Sequence, residues 1–148
     1  MDTIQCAIVL AKLERFEWEL AQRQRIADRY RSRLGEACAW RGIAHLNYGP
    51  LQLLPPPAQD RTCVYAQFTL IARDRDGIRE HLDRAGIPTA VHYPTPLNRQ
   101  PAFAAYCCPD CTPIASLLSE HVLSLPFGPD LTEEDQDRVC EAVLAAAR

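Results

Sequence analysis

The sequence predicts an α+β domain, in which a long N-terminal helix and shorter helices cover a small, mostly antiparallel sheet. Three observations favour this class. Apolar residues recur at helical spacing over residues 2–34, residues 63–72 alternate like a strand, and short apolar segments alternate with helical ones afterwards. At 148 residues the chain is most simply one domain, large enough for a hydrophobic core.

Composition and charge argue against several classes of function. The formal net charge is -3, so no overall electrostatic attraction to nucleic acid is expected. The apolar runs are far shorter than the roughly 20 residues that a membrane-spanning helix needs. Asp2 and Gln5 interrupt the start of any signal peptide. We therefore expect a cytoplasmic protein that binds neither nucleic acid nor membrane.

Residues 2–34 are predicted to form one amphipathic helix. Asp2 or Thr3 can cap its start and Gly35 can end it. At about 1.5 Å per residue the rod would measure roughly 50 Å, which is longer than a domain of this size needs. We therefore expect part of it to pack on another chain or domain. The apolar stripe is formed by Ile4, Ala7, Ile8, Ala11, Leu13, Phe16, Leu20, Ala27, Tyr30 and Leu34.

The next segment is predicted to be a surface connector, followed by the clearest strand. Pro50 and the triplet Pro55–Pro57 prevent regular pairing within residues 36–62, with room for a short strand over residues 44–48. A strand is predicted over residues 63–72, because apolar side chains alternate there with polar ones. The inward set is Val64, Ala66, Phe68 and Leu70, and the outward set is Tyr65, Gln67 and Thr69.

A helix over residues 75–85 is predicted next, with Asp74 as its N-cap and Gly86 at a left-handed position after its end. Ile78 and Leu82 supply its apolar stripe. A short strand from Thr89 to His92 should follow. The prolines at 94, 96 and 101 then stiffen a loop that presents His92 and Tyr93. Such a loop can position ligand contacts, or the pair can simply satisfy loop carbonyls.

The C-terminal third is predicted to contain two helices and a strand. A helical turn over residues 100–106 precedes a helix over residues 113–120, in which Ile114, Leu117 and Leu118 face inward. A strand over Val122–Leu125 ends at Pro126. Thr132 and Asp135 form the cap of a last helix, whose Val139 and Val143 point into the core.

The chain has seven cysteines, and an odd count without a secretion signal indicates reduced thiols. Cys107, Cys108 and Cys111 include one C-x-x-C pair. Structural zinc usually needs a second pair or two histidines, and a redox pair should open a helix. We interpret these residues as loop thiols and assign no metal ligands. Cys63 and Cys140 are predicted to be small core residues.

Four stretches of the sequence resemble the C-terminal domain of the DegT/StrS-type sugar aminotransferases. These PLP enzymes transaminate keto-sugars attached to nucleotides. The similarity runs in register over nearly the whole chain. The four stretches are Met1–Leu13, Ala85–Phe103, Val122–Pro126 and Leu131–Asp135.

The resemblance implies the small domain of a fold-type I aminotransferase, packed on a large PLP domain that this chain lacks. In the family, that large domain carries the Schiff-base lysine, the PLP-stacking residue and the phosphate cradle. Lys12 is the only lysine here, and it matches a position in the family's long helix. Covalent PLP binding to this chain is therefore not expected, and no catalytic or cofactor-binding residue is assigned.

The resemblance also implies a set of substrate contacts. His92 and Tyr93 match the family's His-Tyr-Pro element, which approaches the nucleotide-sugar in a dimeric active site. Arg99 and Gln100 follow in the same loop and are candidates too. The sequence departs from the family at Asn98, where a histidine is common, and at Phe127–Gly128.

The sequence thus predicts a C-terminal aminotransferase domain, active in amino-sugar biosynthesis only as part of a larger protein. Glutamate is the expected amino donor, and a homodimer or higher oligomer is expected. Two alternatives stay open. One is a stand-alone binding or oligomerisation module derived from that domain. The other is half of a split enzyme, completed by a separate large-domain chain.

Overall fold

The structure, a computed structural model, describes residues 2–35, 37–38, 40, 42 and 49–147. The strand predicted over residues 44–48 lies outside this set. The described elements confirm the α+β class. In chain order they are α1 (Thr3–Leu13), α2 (Phe16–Leu34), β1 (Leu51–Leu53), β2 (Phe68–Ala72), α3 (Arg75–Arg84), α4 (Pro113–His121), β3 (Val122–Leu125) and α5 (Glu133–Ala146), with 3-10 turns at Leu97–Arg99 and Pro101–Phe103.

The three strands form one antiparallel sheet in the order β1-β2-β3. Leu53 pairs with Leu70, and Leu70 pairs with Leu123, so one row of leucines crosses the sheet. Helices α2 and α3 both pack against α5. The buried core includes Ile26, Ala27, Tyr30, Leu34, Leu70, Leu82, Leu123 and Val143.

The local signals that end and begin helices are confirmed. The Asp74 side chain accepts a hydrogen bond from the Gly77 amide at the start of α3. Gly86 has φ +70°, and the amides after α3 bond back as in a Schellman motif, Ile87 to the carbonyl of Leu82. Thr132 caps α5 by accepting from the Asp135 amide. Strand β3 and the inward positions Val139 and Val143 are also as predicted.

The single helix predicted over residues 2–34 is wrong, because the chain forms two helices separated by Glu14 and Arg15. The Arg15 amide bonds to the carbonyl of Lys12, three residues back, and Arg15 has φ -102° and ψ 1°. Helix α2 buries four residues against the core, whereas α1 buries none. The apolar stripe continues through the break in sequence, but only its second half reaches the core.

The strand predicted over residues 63–72 starts only at Phe68. Tyr65 has φ +46°, a left-handed conformation that interrupts an extended strand. Before the strand, the burial is the reverse of the prediction, because Tyr65 is buried and Val64 is 58% exposed. Within the strand, Phe68 and Leu70 are buried as predicted. The Tyr65 ring lies 6.4 Å from that of Phe68, centroid to centroid.

Three further segments differ from the predictions. The prolines of residues 36–62 were predicted to prevent regular pairing, but Leu51–Leu53 lie between Pro50 and Pro55 and pair with β2. The strand predicted from Thr89 to His92 is reduced to one bridge, between Ala90 and Ser124. In α4 the apolar Ile114 and Leu117 are exposed, while Ser116 and Ser119 are buried. Serines therefore occupy buried positions of α4, whereas Ile114 and Leu117 were predicted to face inward.

Candidate functional site

His92 is placed by the single bridge that joins its segment to the sheet. Ala90 exchanges two backbone hydrogen bonds with Ser124 of β3, with N···O distances of 3.1 and 2.8 Å. Two residues later, Nδ1 of His92 lies 3.0 Å from Oγ of Ser124. The Ser124 hydroxyl also lies 3.0 Å from Oγ1 of Thr69 on β2. A chain of three polar side chains therefore crosses the edge of the sheet and ends on the imidazole.

Tyr93 follows directly and is 69% exposed. The peptide bond between His92 and Tyr93 is cis. The two rings meet edge to face, with centroids 5.6 Å apart and an interplanar angle of 85°. The pair presents an imidazole and a phenol side by side at the surface.

An open cavity of about 570 Å³ lies between the proline-stiffened loop and α4. His92, Tyr93 and Gln100 line the loop side, and Leu118 and Ser119 line the helix side. The remaining lining residues are Thr95, Pro96, Leu97, Ala115 and Val122. The walls are mostly apolar with a few polar groups, which is typical of small-molecule sites. A smaller cavity of about 270 Å³ is also lined by His92, and Ser124 lines it as well.

Arg99 does not line these cavities. Its Nε donates to the carbonyl of Pro109 at 3.1 Å, and its Nη2 lies 3.4 Å from a carboxylate oxygen of Asp110. The structure therefore brings together three of the four predicted contact residues and directs the fourth onto the cysteine-containing loop.

Asn98, which departs from the family pattern, holds that cysteine-containing loop in place. Its Nδ2 donates to the carbonyls of Cys108 and Pro109, both at 3.0 Å. Its Oδ1 accepts from the hydroxyl of Thr112 at 2.8 Å. The Cys111 thiol donates to the Cys108 carbonyl at 2.9 Å. Asn98 is itself buried, so it supports the site from behind and makes no contact with the cavity.

Ser124 and Thr69 are site residues that sequence reasoning did not find. Each is a hydroxyl residue within an apolar strand, and such a residue must find a hydrogen-bond partner when it is buried. Ser124 could have been recognised in this way, because it is the single polar residue of Val122–Leu125. Its partner His92 is 32 positions away, which the sequence does not reveal.

Three further properties bear on the chemistry. Within the described part of the chain, no cluster of three or more His, Cys, Asp or Glu side chains could hold a metal ion. A bilayer crossing requires a long apolar helix, and the described helices include none. Lys12, the chain's only lysine, lies in the last turn of α1 and lines neither cavity at His92.

Comparison with known proteins finds relatives that are aminotransferases. UDP-2-acetamido-2-deoxy-3-oxo-D-glucuronate aminotransferase of Pseudomonas aeruginosa is 36% identical over 143 residues, which are 97% of this chain and 36% of that protein. The crystal structure of a DegT DnrJ EryC1 StrS aminotransferase from Brucella abortus is 31% identical with a TM-score of 0.84, covering 99% of this chain and 36% of that one.

A third relative, from Bacillus subtilis, was crystallised with bound cofactor PMP. It is 28% identical, with a TM-score of 0.75, over 99% of this chain and 32% of that one. The chain thus spans about a third of the length of each of these relatives. The sequence model of the DegT/DnrJ/EryC1/StrS aminotransferase family matches residues 1–144. The chain therefore belongs to the DegT/DnrJ/EryC1/StrS aminotransferase family.

Proposed function

We propose that this chain is the substrate-contacting, C-terminal domain of a PLP-dependent aminotransferase that acts on nucleotide-linked keto-sugars in amino-sugar biosynthesis. Residues 1–148 form a single domain in this proposal, and the PLP-binding domain is a separate part of the complete protein. The observation that carries it is the convergence of His92, Tyr93 and Gln100 on one cavity of about 570 Å³. Family membership supplies the reaction class.

The residues of this cavity suit the binding and orientation of a sugar nucleotide. Gln100 offers an amide that both donates and accepts hydrogen bonds, and Tyr93 offers a hydroxyl beside an apolar ring. Leu97, Leu118 and Val122 can exclude water from an apolar part of the ligand. We propose that His92, Tyr93 and Gln100 hold the substrate, and that none of them performs the acid–base chemistry. Arg99 remains a candidate only if the loop to Asp110 rearranges.

The residues of this chain do not fit a covalent PLP site. When bound, PLP acts as the electron sink of a transamination, and its covalent capture needs a lysine amine. Lys12 is the only lysine, and it is exposed on α1 and lines neither cavity at His92. We therefore propose that the isolated chain does not transaminate.

Absorbance spectroscopy tests this part of the proposal. The purified chain is mixed with PLP, and the visible band that reports PLP bound to a protein amine is compared with that of a Lys12→Arg variant. The expected result is the same weak, non-saturating signal for both proteins. A stoichiometric band that disappears in Lys12→Arg would contradict the non-catalytic interpretation.

The substrate role is tested in a joined polypeptide. The N-terminal two thirds of the Pseudomonas relative is fused to this chain at Met1, and transamination of a UDP-linked keto-sugar with glutamate is measured. His92→Ala and Tyr93→Ala should each raise the KM for the sugar nucleotide about tenfold and leave the KM for glutamate unchanged. The intact relative serves as the positive control. A folded, PLP-loaded fusion in which both variants behave like the parent would refute the assigned contacts.

A second candidate function is a self-associating module, and the exposed apolar face of α1 favours it. Ile4, Ile8, Leu10 and Leu13 are all exposed, although they are large and apolar. A homodimer or higher oligomer could bury them, and so could a separate large-domain chain. Co-expression with such a chain, followed by a transamination assay, distinguishes a split enzyme from a self-associating module.

We also propose a cytoplasmic location. All seven cysteines are free, which suits a reducing compartment. Mass spectrometry of thiols alkylated in freshly lysed cells should find seven modified cysteines in the denatured chain. Recovery of a disulfide-bonded form from intact cells would count against this location.

A further inference from the structure

The Ser124 hydroxyl has two hydrogen-bond partners but only one hydrogen. Its oxygen lies 3.0 Å from Nδ1 of His92 and 3.0 Å from Oγ1 of Thr69. Ser124 is 3% exposed. A hydroxyl has one hydrogen and two lone pairs, so Ser124 can donate to one neighbour and accept from the other, or accept from both. The direction of this chain of hydrogen bonds decides which nitrogen of His92 carries the proton.

Three arrangements are possible for a neutral imidazole. If Thr69 and Nδ1–H both donate to Ser124, the hydrogen of this buried hydroxyl is left without an acceptor, which is unfavourable. The other two arrangements run in one direction. In the first, Thr69 donates to Ser124 and Ser124 donates to Nδ1, which leaves the proton of His92 on Nε2. In the second, Nδ1–H donates to Ser124 and Ser124 donates to Thr69. The second direction leaves the Thr69 hydrogen without an acceptor, because Ser124 is the only hydrogen-bond partner of the Thr69 side chain among the described residues. An unpaired donor that is partly buried costs free energy, so the first direction is favoured.

His121 provides a contrast within the same fold. Its Nδ1 lies 3.1 Å from the carbonyl oxygen of Ala72. A carbonyl can only accept, so a neutral His121 must carry its proton on Nδ1. The two histidines are therefore held in opposite tautomers by neighbouring strands of one sheet.

We infer that Ser124 is a positioning residue that fixes His92 as the Nε2–H tautomer and presents it to the ligand as a hydrogen-bond donor. The Nδ1 side of the ring is occupied by the sheet, so Nε2, on the far side of the ring, is the nitrogen left for a ligand. A donor suits an acceptor oxygen, such as a phosphate, carbonyl or hydroxyl oxygen of a sugar nucleotide. This last step rests on the proposed function, whereas the tautomer does not.

Nuclear magnetic resonance of the ¹⁵N-labelled chain tests the tautomer without any ligand. In alkaline buffer, where histidine side chains are neutral, long-range ¹H–¹⁵N spectra separate protonated from unprotonated ring nitrogens. His92→Gln and His121→Gln assign the signals. The expected result is an unprotonated Nδ1 for His92 and a protonated Nδ1 for His121. A predominantly protonated Nδ1 in His92 would overturn the inference whether or not any variant folds.

Three variants then test the role of Ser124. Ser124→Ala should lower the ratio of Nε2–H to Nδ1–H about fivefold, the change that corresponds to about 1 kcal/mol for one net hydrogen bond. Ser119→Ala is the control, because this serine is also buried but its hydroxyl bonds to the Ser116 carbonyl. If Ser124 donates to Nδ1, as in the first direction, Thr69→Val should leave this ratio unchanged. If Nδ1–H donates to Ser124, as in the second direction, Thr69→Val would raise the Nε2–H fraction.

The outcomes separate the tautomer from the proposed function. An unchanged ratio in Ser124→Ala, with the His121 signals intact, would refute the positioning role. In the joined polypeptide, Ser124→Ala should raise the KM for the sugar nucleotide about fivefold with kcat unchanged. If His92→Ala has no effect there, the substrate contact fails while the tautomer measured in the isolated chain still stands. If His92→Ala raises that KM and Ser124→Ala does not, the contact stands and the positioning role fails.

Discussion

At the scale of single residues, Tyr30 shows what the sequence reveals and what it conceals. Its helical spacing predicted a ring facing the core, and the ring is fully buried, 4.9 Å from that of Phe68. Its hydroxyl donates to the carbonyl of Pro126 at 2.9 Å. That partner is 96 positions away, so no local pattern could identify it. Spacing predicts burial, but the partner of a buried polar atom depends on the packing of distant elements.

Tyr30→Phe is predicted to destabilise the fold by about 1–3 kcal/mol. The substitution keeps the ring but leaves the partly buried Pro126 carbonyl without its donor. The free energy of unfolding in urea measures the effect. Tyr106→Phe is the matched control, since Tyr106 is 86% exposed and should change that free energy by less than about 0.5 kcal/mol. Equal effects from both variants would mean that the Tyr30 hydrogen bond contributes no net stability.

The buried cysteines should make stability fall at alkaline pH. Burial raises the pKa of both the Cys38 and the Cys140 thiol from 9.0 to about 11. Between these values the folded chain holds protons that the unfolded chain has lost. The contribution of these two thiols to the free energy of unfolding is therefore full below pH 9 and is lost as pH rises toward 11. The slope is at most about 1.4 kcal/mol per pH unit for each thiol.

Urea unfolding between about pH 8 and pH 10 tests this dependence, because it covers the start of that fall. Cys140→Val should flatten the slope, while Cys63→Ala should not, because Cys63 is exposed. The prediction that Cys63 is a core residue is wrong, because its side chain is exposed, whereas Cys140 is buried as predicted. A slope that is the same in all three proteins would show that the thiols do not account for the alkaline loss.

The candidate site could likewise be predicted only in part, because its walls come from elements that are distant in sequence. His92 and Tyr93 could be found from sequence because they are adjacent and flanked by prolines. The opposite wall of the cavity comes from α4, and the sequence placed Leu117 and Leu118 inward together there. Only Leu118 lines the cavity, while Leu117 is exposed. Which face of a short helix meets a loop depends on packing, and a 9-residue helix carries too few positions to define it.

At the scale of elements, helix ends were predictable and helix continuity was not. Capping depends on a few neighbouring residues, so Asp74, Gly86 and Thr132 could be recognised from sequence. The break at Arg15 involves no proline or glycine. It separates a helix that reaches the core from one that does not, and that difference arises only in the tertiary structure. The left-handed backbone conformation of Tyr65, which shortens β2, also could not be predicted from the local sequence.

Gly86→Ala is predicted to destabilise the chain by about 1 kcal/mol. Gly86 has φ +70°, and a Cβ there would lie an acceptable 3.4 Å from Nη2 of Arg138, so the cost is conformational rather than steric. Gly128→Ala is the matched control, because no atom lies within 4 Å of its added Cβ. It should be neutral or slightly stabilising. Differential scanning calorimetry of both variants measures the contrast, and equal melting temperatures would contradict the role assigned to Gly86.

At the scale of the whole molecule, the question is what covers α1. This helix buries none of its residues, although Ile4, Ile8, Val9, Leu10 and Leu13 are apolar and exposed. The sequence predicted that the N-terminal helix would extend beyond its own core, and the first buried residue of α2 is Ile26. The rest of the relatives' length, about two thirds, has no counterpart in this chain. We therefore propose that the exposed face of α1 is an association surface.

The isolated chain is predicted to self-associate through α1. Sedimentation or light scattering at high micromolar concentration should show a dimer or larger species, because burying such a face removes apolar surface from water. Ile8→Glu should shift the chain toward monomer and change the free energy of unfolding of the monomer by less than about 0.5 kcal/mol. Ile114→Glu is the matched control, since Ile114 on α4 is 57% exposed and Ile8 is 56% exposed.

Only the position of the new charge differs between these two variants. A monomeric parent at every concentration would show that α1 is reserved for a different partner, and would count against the self-associating module. Dissociation by Ile114→Glu but not by Ile8→Glu would place the interface on α4, beside the His92 cavity. That outcome would connect association directly to substrate binding, because α4 supplies Leu118 and Ser119 to the wall of the cavity.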